Sequence, residues 1–121
     1  MDSPNLSSFY LSDNTIGFIV DGPYDELMVA AIQLEISIKM KLYGNVNLYL
    51  EDTANARISI ITILRGLPFK IKMSKHFNKV AVVTDRNWMR VVRRFERIFL
   101  KTEIKVFSTK KRIDAIQWIS S

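Results

Sequence analysis

The chain has no cysteine, a single histidine, three prolines and four glycines among its 121 residues. Without cysteine there are no disulfides, thiolate zinc sites or cysteine nucleophiles, and a reducing, cytoplasmic setting is the expectation. Any metal cluster or Ser-His-Asp triad would have to use His76, and no G-x-S-x-G, H-E-x-x-H or phosphate-cradling glycine loop accompanies it. His76 is therefore read first as a structural residue, no metal or cofactor is expected, and the chain is not expected to be an enzyme. No apolar run approaches the roughly 20 residues that span a bilayer. The polar start Met1 to Ser8, with Asp2 and Pro4, lacks the basic and apolar regions of a secretory signal. Repeats and low-complexity tracts are also missing, so the expected organisation is a disordered start at 1–7 and one domain over 8–121.

Charge is present in excess but unevenly. Residues 1–56 hold two bases against eight acids, a net of −6, whereas residues 57–121 hold sixteen bases against four acids, a net of +12. The basic half is where an anionic partner would bind. The plainer alternative is that the charges cover opposite sides of one domain as solvated faces.

The clearest structural statement in the chain is Lys79 to Arg86, K-V-A-V-V-T-D-R. Val80, Ala81, Val82 and Val83 leave neither face polar, which is the pattern of an internal strand covered on both sides. Thr84, Asp85 and Asn87 then offer turn and N-cap oxygens before a helix opening near Trp88. Upstream, Phe9 to Leu11 and Ile16 to Val20 flank the turn Asp13-Asn14 and predict a hairpin. Pro23, Asp25 and Glu26 predict a helix start, Leu27, Ala31, Leu34 and Ile38 with Ala30 and Met40 predict its core-facing stripe, and Tyr43-Gly44-Asn45 predicts its end through a glycine that tolerates positive φ. Val46 to Leu50 alternates as a strand running into an acidic turn, Glu51-Asp52. Residues 53–78 mix β-branched residues with a β/α rhythm that calls for a crossover; a helix broken at Gly66-Leu67-Pro68 is the reading taken. A basic amphipathic helix from about Asn87 to Leu100, a strand over Glu103 to Phe107 and a final helix packing Ile113, Ile116 and Ile119 complete the order. The expected fold class is α/β, a mixed four- to five-stranded sheet with an N-terminal β-hairpin and alternating helices.

Asp21-Gly22 before Tyr24-Asp25-Glu26, the strand Asn47-Leu48-Tyr49-Leu50-Glu51-Asp52, the block His76 to Asp85 with Trp88, and the close Val106-Phe107 with Ala115 and Trp118 together resemble the SpoIIAA-like proteins of the STAS superfamily. The small bacterial members of that family are also compared with CRAL-TRIO lipid-carrier domains. The resemblance covers nearly the whole chain. It implies helices wound along the sheet and a role in binding small hydrophobic molecules or partner proteins. STAS antagonists of anti-sigma factors carry an Asp-Ser-Ser-Gly-type phosphorylation turn after the strand matching Asn47–Leu50. Here the turn is Glu51-Asp52-Thr53-Ala54-Asn55-Ala56, with Thr53 its only hydroxyl, so the serine switch is not expected.

Three groups of residues are candidates for binding. Ile60, Leu64, Leu67, Phe69 and Met73 belong to a segment apolar almost all round, with Lys72 and His76 at its rim. The surplus predicts a pocket for a small hydrophobic, anionic molecule, a homodimer interface, or a deeply buried crossover. Arg90, Arg93, Arg94, Arg97 and Lys101 form a basic helix face that reads as a solvated surface, a dock for an acidic protein, or a peripheral membrane contact. Nucleic acid is not the expected partner there, because Trp88, Phe95 and Phe99 fall on the apolar stripe rather than among the arginines. Asp21, Glu51, Asp52 and Asp85 each follow a strand and converge at one sheet edge if those strands are parallel; helix capping for Asp85 and solvated turns for the others are the plain duties. The function expected is a non-catalytic module carrying or sensing a small hydrophobic molecule, the alternative being a STAS-like regulatory protein-interaction module.

Overall fold

The computed structural model describes residues 6–21, 26–53, 77–85 and 102–121. Five strands form one mixed sheet in the order of the chain: β1 (Leu6–Ser12), β2 (Thr15–Val20), β3 (Val46–Asp52), β4 (Phe77–Val83) and β5 (Glu103–Phe107). β1 and β2 are the antiparallel hairpin, and every later pairing is parallel. Two helices accompany the sheet among the described residues, α1 (Glu26–Tyr43) and α2 (Arg112–Ser120), the latter entered through a 3₁₀ turn at Thr109–Lys111. The expected broken helix over 58–75 and the basic helix from 87 lie outside the described residues.

Each strand feeds one side chain to each face alternately, and the register turns that alternation into two cores. Ile16, Phe18, Val20, Val46, Leu48, Leu50, Phe77, Val80 and Val82 share one face with Met28, Ile32 and Ile36 of α1. Tyr49, Ala81 and Val83 share the other with Ala115 and Ile119 of α2, and Phe9, Leu11 and Phe107 pack at its margin. The run Val80 to Val83 is buried on both sides and β4 is internal, as its composition requires. The middle of the sheet belongs to β3, not β4.

Across the second face runs the row Phe9, Gly17, Tyr49, Ala81. A Cβ at Gly17 would stand 2.1 Å from the tip of the Phe9 ring. The glycine thus leaves the space over which Phe9 leans to meet Tyr49 edge to face, with ring centroids 5.4 Å apart. β1 begins at Leu6, inside the stretch expected to be frayed, because Leu6 and Ser7 pair with Val20 and Ile19.

α1 departs from its expected stripe. Leu27, Leu34 and Ile38 are exposed, as is Ala30, while the buried line is Met28, Ile32 and Ile36; Ala31 and Met40 pack only partly. Both lines have helical spacing, and contact with the sheet, not periodicity, decides which one is inside. The helix ends as expected: Gly44 adopts φ 77°, and its N–H donates to the Met40 carbonyl at 2.9 Å.

α2 is pinned at both ends. At its C-terminus the Lys79 ammonium donates to the Trp118 and Ser121 carbonyls at 3.3 and 3.0 Å, placing a cation at the helix end where the dipole favours one. Trp118 also receives Lys79 and Lys105 over its ring. Of the three isoleucines assigned to its core face, Ile119 is buried and Ile116 partly so, whereas Ile113 points to solvent.

Candidate functional site

Because β2, β3, β4 and β5 run parallel, their carboxyl ends meet at one edge, the position where open α/β sheets place their sites. Asp21, Glu51, Asp52 and Asp85 do converge there. Backbone bonds knit the edge: the Thr53 N–H donates to the Val20 carbonyl at 3.0 Å and the Thr84 N–H to the Phe107 carbonyl at 2.9 Å.

Glu51 is no solvated turn. It is the sixth residue of β3, only 2% exposed, set in register between Ile19 and Val83 on the α2 face. A carboxylate in that position requires several donors. Arg112 supplies two, Nε to Oε1 at 2.8 Å and Nη2 to Oε2 at 2.6 Å, and the Tyr49 hydroxyl donates a third to Oε1 at 2.5 Å. The two-pronged guanidinium matches the carboxylate plane, which an ammonium could not do. Arg112 is the first residue of α2, where the helix dipole disfavours a cation; the carboxylate directly beneath offsets that. Its guanidinium pKa is raised by the hydrogen bonds and charge of Glu51. Tyr49 is pushed well above the ordinary phenol value of 10.0, first by burial and then by its hydrogen bond to the Glu51 carboxylate.

The flanking acids are tied as well. Asp85 accepts from the Thr109 N–H at 3.0 Å and the Thr109 hydroxyl at 2.6 Å, and these bonds hold its carboxyl below the usual range. These bonds lock the β4 end to the turn that starts α2. Asp21 accepts from the Thr53 hydroxyl at 2.6 Å, so that hydroxyl, directly after β3, is engaged by the neighbouring strand end. Asp52 is buried on the α1 face. Among the described residues no group of three His, Cys, Asp or Glu side chains could hold a metal ion. No described helix is long and apolar enough to cross a membrane.

Tyr49 and Arg112 were not among the sequence candidates. A Tyr-x-Glu pair on one face of a strand was the available signal, since a glutamate sharing a buried face needs a cation. Which of the 18 bases supplies it could not be read from the chain. The candidate pocket residues Ile60, Leu64, Leu67, Phe69, Met73, Lys72 and His76 lie outside the described residues, as does the basic face Arg90, Arg93, Arg94, Arg97 and Lys101.

Five strands in this order, a parallel run after an antiparallel hairpin, and a closing helix clamped to the third strand set the frame in which the SpoIIAA-like family model matches residues 15–120. The chain belongs to the SpoIIAA-like family. The match runs from the start of β2 to the end of α2, so β1 lies outside it. No curated protein matches the chain. The sheet is a SpoIIAA/STAS-like fold, and Thr53 directly follows β3.

The Tyr49 shift carries a pH expectation. A phenol whose folded pKa is raised adds stability that is complete below the unfolded value near 10 and is lost as pH rises beyond it. Alkaline titration followed by phenolate absorbance and circular dichroism should therefore show one tyrosine ionising only as the fold is lost. Subtracting the Tyr49→Phe titration isolates that signal; its appearance in protein that stays fully folded would contradict the buried, carboxylate-bonded phenol.

Proposed function

We propose that this SpoIIAA-like chain is a non-catalytic regulatory protein-interaction module, working without a serine switch, whose partner docks over the carboxyl edge of the sheet. The observation that carries the reading is the family match across β2 to α2 together with the state of that edge. Asp21, Glu51 and Asp85 are committed to internal bonds with Thr53, with Arg112 and Tyr49, and with Thr109, which makes a rigid surface and leaves none of these three carboxylates poised as a general base. Beside it Lys110, Lys111 and Arg112 follow one another, all exposed, so the fitting partner is an acidic protein segment.

The test begins with crosslinking of the tagged chain at its native level and continues with the identified partner purified. Titration calorimetry should show that Lys110→Glu with Lys111→Glu, which leaves the Glu51 clamp intact, weakens binding at least about tenfold and increasingly so at low salt. Equal binding by the charge-reversed variant would remove this edge as the dock. A purified chain that retains a lipid-sized mass in native mass spectrometry, or that turns over a substrate, would replace the reading with carriage or catalysis.

A further inference from the structure

Leu27, Leu34, Ile38 and Leu42 are 76%, 61%, 47% and 65% exposed, yet they form a continuous line down α1. At about 100° per residue this line is centred roughly 125° around the helix from Met28, Ile32 and Ile36, so the sheet cannot cover it, and it extends over about 22 Å. The four side chains leave on the order of 400 Å² of apolar surface on one copy, a patch of the size that marks an interface.

We infer that this line is a homodimer surface on which α1 of one copy packs antiparallel against α1 of a second. The sequence of the line is self-complementary. About a twofold axis between Leu34 and Glu35, Leu27 faces the other copy's Leu42, the small Ala31 faces Ile38, and Leu34 meets Leu34. Flanks on the same side face each other in such a pair, so Glu26, exposed in the first turn, lies beside Lys41, exposed in the last turn of the other copy. Opposite charges thus meet at both ends, and each helix's N-terminus lies near the other's C-terminus. Parallel packing would place Glu26 on Glu26 and Lys41 on Lys41. Glu35, close to the axis, is turned toward β1, where the Ser8 hydroxyl donates to it at 3.3 Å. Lys39 is likewise held back by the Asp13 carbonyl and the rings of Tyr10 and Tyr43. Two such lines bury about 800 Å² together and the flanking residues add to it, which sets the pair near the roughly 1,000 Å² lower bound of a specific interface and suits a dimer of micromolar rather than nanomolar affinity.

The chain's lack of cysteine makes the test clean. Sedimentation equilibrium near 100 µM should show the parent mostly dimeric and Leu34→Asp, a substitution at an exposed site, folded and monomeric. Under mild oxidation Leu34→Cys should form an interchain disulfide readily, since residue 34 sits at the axis, while Leu27→Cys should not, because the two copies of residue 27 are about 22 Å apart. A parent that stays monomeric, or Leu27→Cys crosslinking as fast as Leu34→Cys, overturns the proposal. So does a monomeric parent that binds anionic vesicles and loses that binding in Leu34→Asp, which would assign the line to a lipid surface. The charge reversal at Lys110 and Lys111 leaves α1 untouched, so the edge and this surface fail or stand separately.

Discussion

Replacing Arg112 with alanine should destabilise the fold by about 3 kcal/mol, roughly 10 °C in melting temperature for a domain of this size. The cause lies in the carboxylate left behind. Glu51 is 2% exposed and would keep only the Tyr49 hydroxyl, and breaking a buried pair from one side leaves an uncompensated charge. The value belongs near the lower end of the range for such pairs, because the Arg112 side chain is half exposed and its removal lets water reach the carboxylate. That asymmetry gives an order. Glu51→Leu should cost less than Arg112→Ala, since the freed guanidinium can turn to solvent. Combining Glu51→Leu, Arg112→Leu and Tyr49→Phe should return stability to within about 1 kcal/mol of the parent, as apolar replacement of a buried network often does. Chemical denaturation of the four proteins decides it. A cost below about 1 kcal/mol for Arg112→Ala would make the pair an ordinary surface salt bridge.

The same residues show how far the sequence could be read. The doubly buried strand of Val80 to Val83 was legible because a parallel strand covered on both faces leaves no position for a polar residue. Gly44 was legible because one glycine after a helical period has few other uses. Glu51 was not: acidic residues after an alternating strand ordinarily mean a turn. Only the parallel register, which carries β3 two residues further beside Ile19 and Val83, makes it a buried strand residue. Arg112 is separated from it by sixty-one positions, and no local pattern reaches that far. The edge's acids could be grouped from the β/α order alone; what each accepts from could not.

The widest misreading, that of α1, yields the second large effect. Ile32→Ala should cost about 3 kcal/mol, while Leu34→Ala, two residues along the same helix, should change stability by less than about 0.5 kcal/mol in dilute protein. Ile32 is fully buried between the sheet and its helical neighbours, so truncation loses both its transfer energy and the packing around the void. Leu34 is 61% exposed and has little to lose within one copy. Alanine is the better helix former in both cases, so propensity cannot produce the difference. The periodicity of Leu27, Ala31, Leu34 and Ile38 argues for the opposite order, and a melt of the two variants separates the readings. Dilution matters, because at high concentration a dimer formed through Leu34 adds stability to the parent by mass action and Leu34→Ala would forfeit it. A Leu34→Ala deficit that grows with protein concentration, beside an Ile32→Ala deficit that does not, would distinguish an outward stripe held for a second copy from an inward one held by the sheet.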